Sequence, residues 1–538
     1  MNRRDFILAT LSTSSFVALA PKAQALERLA RLAPGEMSPL QRLSSYAGSS
    51  VIEGDVHDEA HEIFWNKDGY LARNGGIPRP SAHYDVVIVG GGMAGLTAAY
   101  HLRGKRILML EGHPRLGGNS KSQFIGRSYL SQGSAYIVAT EDGDEIDTML
   151  ADLRLKSRFR QNDHGDDVVE FRGRTVPGFF DGATDSGRAE SFRAFRAKMH
   201  DVFENSYPEL PVWGEENRAG FNALDRVRFS DWLTRELGPL HPHLAEFVEL
   251  YCWSSFGTTT AELSAAQGLN FLSCDMAGTQ VLPGGNGLIA QALYEKLKPR
   301  TVTFRAPAFA VDVVENGSKT EICFKNEAGR LETVTADHCV VTVPKMVAKH
   351  VVRGLATPQL EAMKDLTYRA YLVGNVLLDR KLASPGYDLF SMLGRHPGDS
   401  YQDSKARVFA DVVYADWAGN DSAEKSALTL YMPLPYPMAQ QYLFIDTLYE
   451  KYYDRIRTRL SPVLAGHGLS WQNVQGVRLV RYGHAMPVGS VGGVASGLFE
   501  RAHHSLGNIH FAGQDNWGNP CFETAFATGM EAAKKITG

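Results

Sequence analysis

The chain has 538 residues, 44% hydrophobic and 22% charged, with a formal net charge of −4. That length suits two large domains with extensions, and dispersed basic residues on a near-neutral chain give no basis for nucleic-acid binding. The five cysteines form neither C-x-x-C nor C-x-x-C-H, which excludes thioredoxin-type redox chemistry and c-type haem attachment, and no His/Cys/carboxylate spacing reads as a metal centre.

At the N-terminus, Asn2-Arg3-Arg4-Asp5-Phe6-Ile7-Leu8 resembles a twin-arginine export motif. A mildly apolar segment follows to Ala20, then the small-x-small site Ala23-Gln24-Ala25. The expectation is a signal over residues 1–25, recognition by the twin-arginine machinery, and export in the folded state to the periplasm. No later stretch is long enough for a transmembrane helix, so stable membrane insertion is not expected. Residues 26–82 read as an extension: a short helix at 26–33 ended by Pro34-Gly35, then an irregular arm. Within the arm, His57, Asp58, His61 and Glu62 read as solvated loop residues rather than metal ligands.

Residues 84–111 organise the chain. Val86-Val87-Ile88-Val89 suits a buried parallel strand, and residues 106–110 suit a second. Between them, Gly90, Gly92 and Gly95 stand at G-x-G-x-x-G spacing, with Met93 and Ala94 inside the turn and a helix from Leu96. The first glycine permits the tight turn, the second lets backbone approach a pyrophosphate, and the third lets helix and strand pack closely. The helix N-terminus offers N–H groups and partial positive charge to phosphates. Glu111 lies roughly 20 positions after Gly90, where an acid binds ribose hydroxyls and disfavours a 2′-phosphate.

Gly112 and the run Arg115-Leu116-Gly117-Gly118-Asn119-Ser120 come next. An acid ending strand two, followed by R-x-G-G, resembles the flavoprotein amine oxidase superfamily. At the far end, a strand closing on Phe511-Ala512-Gly513 and a helix from Phe522 through Glu523 and Thr524 to Ala533 resemble that family's C-terminal flavin motif. The resemblance implies an α/β fold, with a discontinuous Rossmann-like FAD-binding domain (83–140, 266–355 and 476–538). Inserted into it is an α+β substrate domain on a mixed sheet (141–265 and 356–475). It implies that residues 128–137, with Gly133, Ser134 and Ala135, pass under the flavin ring. The backbone of Val311 or Val313 would meet the adenine, and Asp515 would stand on the ribityl side. FAD would be held by Gly90, Gly92, Met93, Ala94, Gly95, Glu111, Gly112, Gly117, Gly118, Asn119, Ser134, Val311, Val313, Gly513, Asp515, Phe522, Glu523 and Thr524.

Elsewhere the sequence suggests helices at 191–203, 229–237, 289–297 and 441–460, and strands at 371–378, 427–432 and 477–480. Residues 251–258 read either as cavity lining or as core. Gly117-Gly118-Asn119-Ser120-Lys121 and Tyr371-Leu372-Val373-Gly374-Asn375-Val376 resemble a spermidine-dehydrogenase-like branch. The chain also departs from the usual family pattern. A lysine that many members place near flavin N5 is replaced by Val373 or Gly374, and a cage tyrosine by Cys521. An aromatic cage would then draw on Trp517, Tyr482 or Trp253.

The implied reaction is oxidation of a C–H next to nitrogen in a small-molecule amine. Hydride passes to flavin N5, the imine hydrolyses, and O₂ or another acceptor takes the electrons. His484 is the candidate for proton handling, since an unperturbed histidine titrates near neutrality. Tyr482 and Trp517 are the other candidate catalytic residues. Two alternatives stand beside this. One is a flavin desaturase or isomerase with a wide apolar tunnel and few acids. The other is a non-catalytic FAD-binding electron-transfer partner. An acid-lined funnel would favour polyamines, and Glu141, Asp142, Asp144, Glu145, Asp147, Asp163, Asp166 and Asp167 are available acids or simply solvated ones.

Overall fold

A computed structural model describes residues 52–55, 58–125, 128–162, 167–212, 215–298, 301–394, 407–419, 425–445 and 447–538. The export motif, the helix at 26–33, His57, Asp163 and Asp166 lie outside the described residues. The arm expected to be irregular instead carries two short helices, Asp58–Trp65 and Lys67–Arg73; in the first, His61 stacks on Trp65 at 4.5 Å, and Glu62 pairs with Arg73 of the second.

The first sheet runs in the order Val302–Arg305, Ile107–Leu110, His83–Val89, Leu331–Val341, Lys319–Lys325, Phe309–Asn316. Ile509–Phe511 pairs in parallel with the end of Leu331–Val341. His83–Val89 has parallel neighbours on both sides. Its β-branched residues therefore alternate between two buried faces. Val86 and Ile88 pack with Leu96, Ile289 and Phe526, from helices Met93–His101, Gly287–Leu297 and Phe522–Thr537. Val87 and Val89 pack with Ala348, Val351 and Phe511 on the other side.

The second sheet is mixed and eight-stranded. Its order is Ile52–Gly54, Val474–Pro487, Tyr368–Leu378, Ala427–Leu434, Asp411–Tyr414, Asp388–Met392, Val168–Phe171, Arg174–Pro177. Period-two alternation divides its faces. Leu372, Val376, Leu428, Leu430 and Met432 pack against Ile456 and Leu460 of helix Leu448–Gly466. Tyr371, Val373, Tyr431, Val480 and Tyr482 share the opposite face. A third body of helices, Ala189–Asn205, Phe229–Leu237, Pro242–Phe256 and Ala265–Ala277, encloses a phenylalanine-rich core that meets Phe390 and Met392 of this sheet.

Two sequence boundaries are corrected. Residues 476–487 belong to the second sheet, because Val474–Pro487 pairs along most of Tyr368–Leu378; the return to the cofactor body follows Pro487. The helix expected at 441–460 is instead Leu448–Gly466, preceded by a short 3₁₀ turn at Ala439–Leu443. Its buried stripe of Leu448, Tyr452, Ile456 and Leu460 recurs every fourth residue and sets where it starts. Among the described residues no helix is long and apolar enough to cross a membrane.

Candidate active site

Two glycine turns meet above the first sheet. Gly91 O accepts Gly117 N–H at 2.7 Å, and Gly92 bridges Gly117. A Cβ on Gly91 would lie 2.3 Å from Leu116, and one on Gly118 would lie 3.0 Å from Gly92 Cα. Side chains are thus excluded where two backbones and a ligand converge. Gly90, at φ +115°, and Gly95 do structural work: their Cβ atoms would strike Thr342 Oγ1 at 2.4 Å and Gly90 O at 2.2 Å. Glu111 accepts Gly91 N–H at 2.8 Å and His113 N–H at 2.7 Å, which holds its carboxylate at the edge of the cradle. Burial pushes that carboxyl up, while Lys121 and the two amides pull it down. Gly112 leaves room for Phe309, 3.0 Å from its would-be Cβ. The backbone cradle, the helix N-terminus at Met93 and the adjacent acid fit the pyrophosphate and ribose of a dinucleotide.

From this cradle a cavity of about 540 Å³ extends to the second sheet. Gly92, Met93, Ala94, Gly117, Gly118, Asn119, Ser134, Gly513, Asp515, Phe522, Glu523 and Thr524 line its cofactor end. The last helix docks beside the first because Gly529 leaves space: a Cβ there would lie 2.3 Å from Ala94 O. Cys521 caps that helix, its sulfur accepting Thr524 N–H at 3.3 Å. Glu523 accepts Val138 N–H at 2.9 Å. Asp515 accepts Lys345 N–H at 2.7 Å, the Lys345 ammonium at 2.6 Å and Tyr368 O–H at 2.6 Å. Ser134 receives Asn286 Nδ2 at 2.5 Å and donates its N–H to Asn119 O at 2.8 Å.

Tyrosines dominate the substrate side. Tyr482 O–H donates to Gln132 O at 2.6 Å and Tyr431 O–H to Gly133 O at 2.5 Å, so both rings are tied to the segment that crosses the cradle. Gly133 is required there, since a Cβ would lie 2.0 Å from Asn119 O. Tyr371 and Tyr431 stand edge to face with centroids 6.0 Å apart. Tyr371 O–H lies 3.0 Å from Ser254 Oγ, which donates to Asp411 at 2.9 Å. One helical turn earlier, Tyr251 O–H donates to Asp275 at 2.7 Å, and Tyr136 O–H does the same from strand Tyr136–Val138. Among the described residues, six carboxylates line the cavity, on Glu209, Asp275, Asp388, Asp411, Asp515 and Glu523, and no lysine or arginine does.

Several expectations change. His484 lines the cavity, edge-on to Tyr368 at 6.2 Å, but burial and the charges of His61 and Lys349 lower it to about 4. It is neutral at pH 7 and does not titrate there. Trp517 is not at the cavity: it is 4% exposed, packs with Val494 and Phe499, and accepts Gln267 Nε2 on its carbonyl at 2.8 Å. Trp253 is likewise core, its indole N–H held by Glu249 at 3.0 Å. Of the suggested cage residues only Tyr482 lines the cavity. Val313 is ladder-paired and its carbonyl accepts Arg353 N–H at 2.9 Å; Val311 sits at a bulge between Ala310 and Asp312. Val373 faces the cavity, whereas Gly374 points to Met432 in the core. The acids near 141–147 are elsewhere, with Asp142 and Asp147 each 2.7 Å from Lys156.

Sequence reasoning missed Tyr371, Tyr431, Asp275 and Asp411. Tyr431 carried a signal: in Ala427–Leu434, Thr429 and Tyr431 alternate with Leu428, Leu430 and Met432. Asp275 carried another, as the acid in the otherwise uncharged helix Ala265–Ala277.

A family model described as flavin containing amine oxidoreductase matches residues 93–537. Oxidoreductase PigB of Serratia sp. is 26% identical over 516 residues, which cover 84% of this chain and 75% of that protein. Among solved structures, wild-type putrescine oxidase bound to putrescine superposes with a TM-score of 0.61 at 16% identity, over 85% of this chain and 100% of that one. A fatty acid isomerase from P. acnes that produces CLA superposes with a TM-score of 0.62 at 15% identity, over 84% of this chain and 98% of that one. At such identities the likeness shows a shared fold, and one fold carries different reactions.

Proposed function

The chain belongs to the flavin-containing amine oxidoreductase family, and from that premise we propose that it oxidises a cationic amine, a polyamine or a primary or secondary amine, at the carbon next to nitrogen. It is an oxidoreductase and FAD is its cofactor. When bound, FAD supplies the acceptor for the hydrogen and two electrons that leave the substrate. The observation that carries the reading is that Glu209, Asp275, Asp388 and Asp411 line the cavity beyond its cofactor end, with no lysine or arginine among the described lining residues. Such a wall lowers the energy of a cation and repels an anion. Tyr371, Tyr431 and Tyr482 add ring faces that attract ammonium and exclude water. The protein's part is to hold the amine against the cradle, to desolvate it and to manage its proton. An apolar-substrate desaturase or isomerase calls for a lining with few acids, which this cavity does not have.

The test is anaerobic. FAD-loaded protein is mixed with putrescine, spermidine and benzylamine, and the oxidised flavin absorbance is followed. Rapid bleaching by at least one amine is expected. No bleaching by any of them, with normal reduction by dithionite, would sink the amine reading and favour the apolar-substrate enzyme. Admitting air then separates O₂ from another electron acceptor. We also propose periplasmic export directed by residues 1–25; fusing them to a reporter and finding it retained in the cytoplasm would refute this.

A further inference from the structure

Three buried acids in this protein show how such a charge is usually balanced here, each by a cation of its own. Glu246 faces Arg407 at 2.6 Å, Glu170 faces Arg459 at 2.6 Å, and Asp515 faces Lys345 at 2.6 Å. Asp275 differs. It is 5% exposed, on the cavity wall, and among the described residues no ion pair reaches it. Its Oδ2 accepts two hydroxyls, from Tyr136 and Tyr251, each at 2.7 Å; Oδ1 accepts from neither tyrosine. Three elements hold the group: its own helix Ala265–Ala277, helix Pro242–Phe256 and strand Tyr136–Val138. The charged group that acts on it is another acid, Glu523 of the last helix. A carboxylate so placed is costly to keep charged without a cation nearby, and the open space beside it is the cavity.

We propose that Asp275 receives the substrate ammonium and takes its extra proton. The inference rests on the amine reading above. In this step the N–H bond of the ammonium breaks, an O–H bond forms on the Asp275 carboxylate, and nitrogen keeps the electron pair. A neutral amine has the lone pair that supports loss of hydride from the adjacent carbon; an ammonium does not. The proton returns to solvent after product leaves. The environment suits the exchange: burial and Glu523 push the Asp275 carboxyl up, to about 7, against the two tyrosine hydroxyls. The group is then divided between its two forms at neutral pH.

Anaerobic bleaching rates against pH test this, using whichever of putrescine, spermidine or benzylamine reduces the wild type. The wild type is expected to lose rate as pH falls through about 7. Asp275→Asn keeps the shape and the hydroxyl contacts. It is expected to lower the rate by roughly 100-fold or more and to abolish the acidic limb, with FAD content and dithionite reduction unchanged. A wild-type rate and pH profile in Asp275→Asn would overturn the assignment. If that variant fails to hold FAD, Tyr136→Phe and Tyr251→Phe decide. Each removes a donor that favours the carboxylate, so each is expected to move the limb to higher pH, and an unmoved limb overturns the proposal. Failure of every amine on the wild type removes the amine reading itself, and with it the inference; failure confined to the variants' predicted behaviour removes only the role of Asp275.

Discussion

A methyl group at Gly95 would sit 2.2 Å from Gly90 O, whereas at Gly220, in helix Glu215–Asp225, it would meet nothing within 4 Å. Gly95→Ala must therefore push the first helix away from its strand and open the phosphate cradle. It is expected to purify with little FAD and a lowered melting temperature. Gly220→Ala is expected to keep full flavin and to gain up to about 1 kcal/mol from helix propensity. The flavin-to-protein absorbance ratio and a thermal melt of both variants check this; normal flavin content in Gly95→Ala would refute the close-packing argument. The contrast also marks what a sequence can reveal at this scale. Gly90, Gly92, Gly95 and Glu111 were legible because a pyrophosphate imposes their spacing locally. Asp275, Tyr136 and Tyr251 are far apart in the chain and meet only through three packed elements. His484 was legible as a position but not as a titrating group, because its shift comes from burial that no local pattern encodes.

Lys345 opens helix Lys345–Val351 and reaches the turn Gln514–Asn516, so one buried ammonium couples the end of the first sheet to the approach of the last helix. The side chain is 0% exposed, and Asn516 Oδ1 also accepts from it. Lys345→Met leaves Asp515 buried without a cation and is expected to cost about 3–5 kcal/mol and to loosen flavin. Tyr368→Phe removes one neutral donor to the same carboxylate and is expected to cost about 1 kcal/mol. Urea unfolding of both, with flavin fluorescence as a second probe, measures the difference; equal losses would mean that the charge adds nothing to the hydrogen bonds. Elements were legible where their own residues decide them. Helix Phe229–Leu237 matches its sequence reading residue for residue, since its apolar stripe is local. Strand Val474–Pro487 outran its reading of 477–480, because Gly483 and His484 interrupt the apolar alternation at an irregularity in the ladder, and pairing with Tyr368–Leu378 resumes beyond them at Met486 and Pro487. The helix expected from 441 begins at Leu448, where the fourfold stripe begins to face the sheet.

Across the whole molecule, burial sets a pH limit on stability that is separate from the pH limit proposed for the reaction. Among the described residues ten histidines are lowered, with desolvation as the largest cause in each: His101, His113, His200, His243, His338, His350, His467, His484, His503 and His510. His484 and His510 fall to about 4 and His503 to about 3. A lowered group contributes stability above its unfolded value, near 6.5, and that stability is lost as pH falls toward the folded value, because the unfolded chain binds the proton first. Five carboxyls among the described residues are raised and oppose this: Asp55, Glu111, Asp225, Asp275 and Asp416. Their stabilising protonation in the folded state is outnumbered by the histidines, which all titrate in the unfolded chain between pH 7.5 and 5.5, roughly one unit either side of that value. The melting temperature of the FAD-loaded protein is therefore expected to fall by roughly 5 °C or more between pH 7 and pH 5. A level or rising melting temperature over that interval would refute the histidine account. The acidic limb assigned to Asp275 lies in the same interval, but the two separate cleanly. Well below the melting temperature, activity lost to Asp275 protonation returns at once on readjusting the pH, and Asp275→Asn lacks that limb while its melting temperature still falls, somewhat more steeply because one opposing carboxyl is gone.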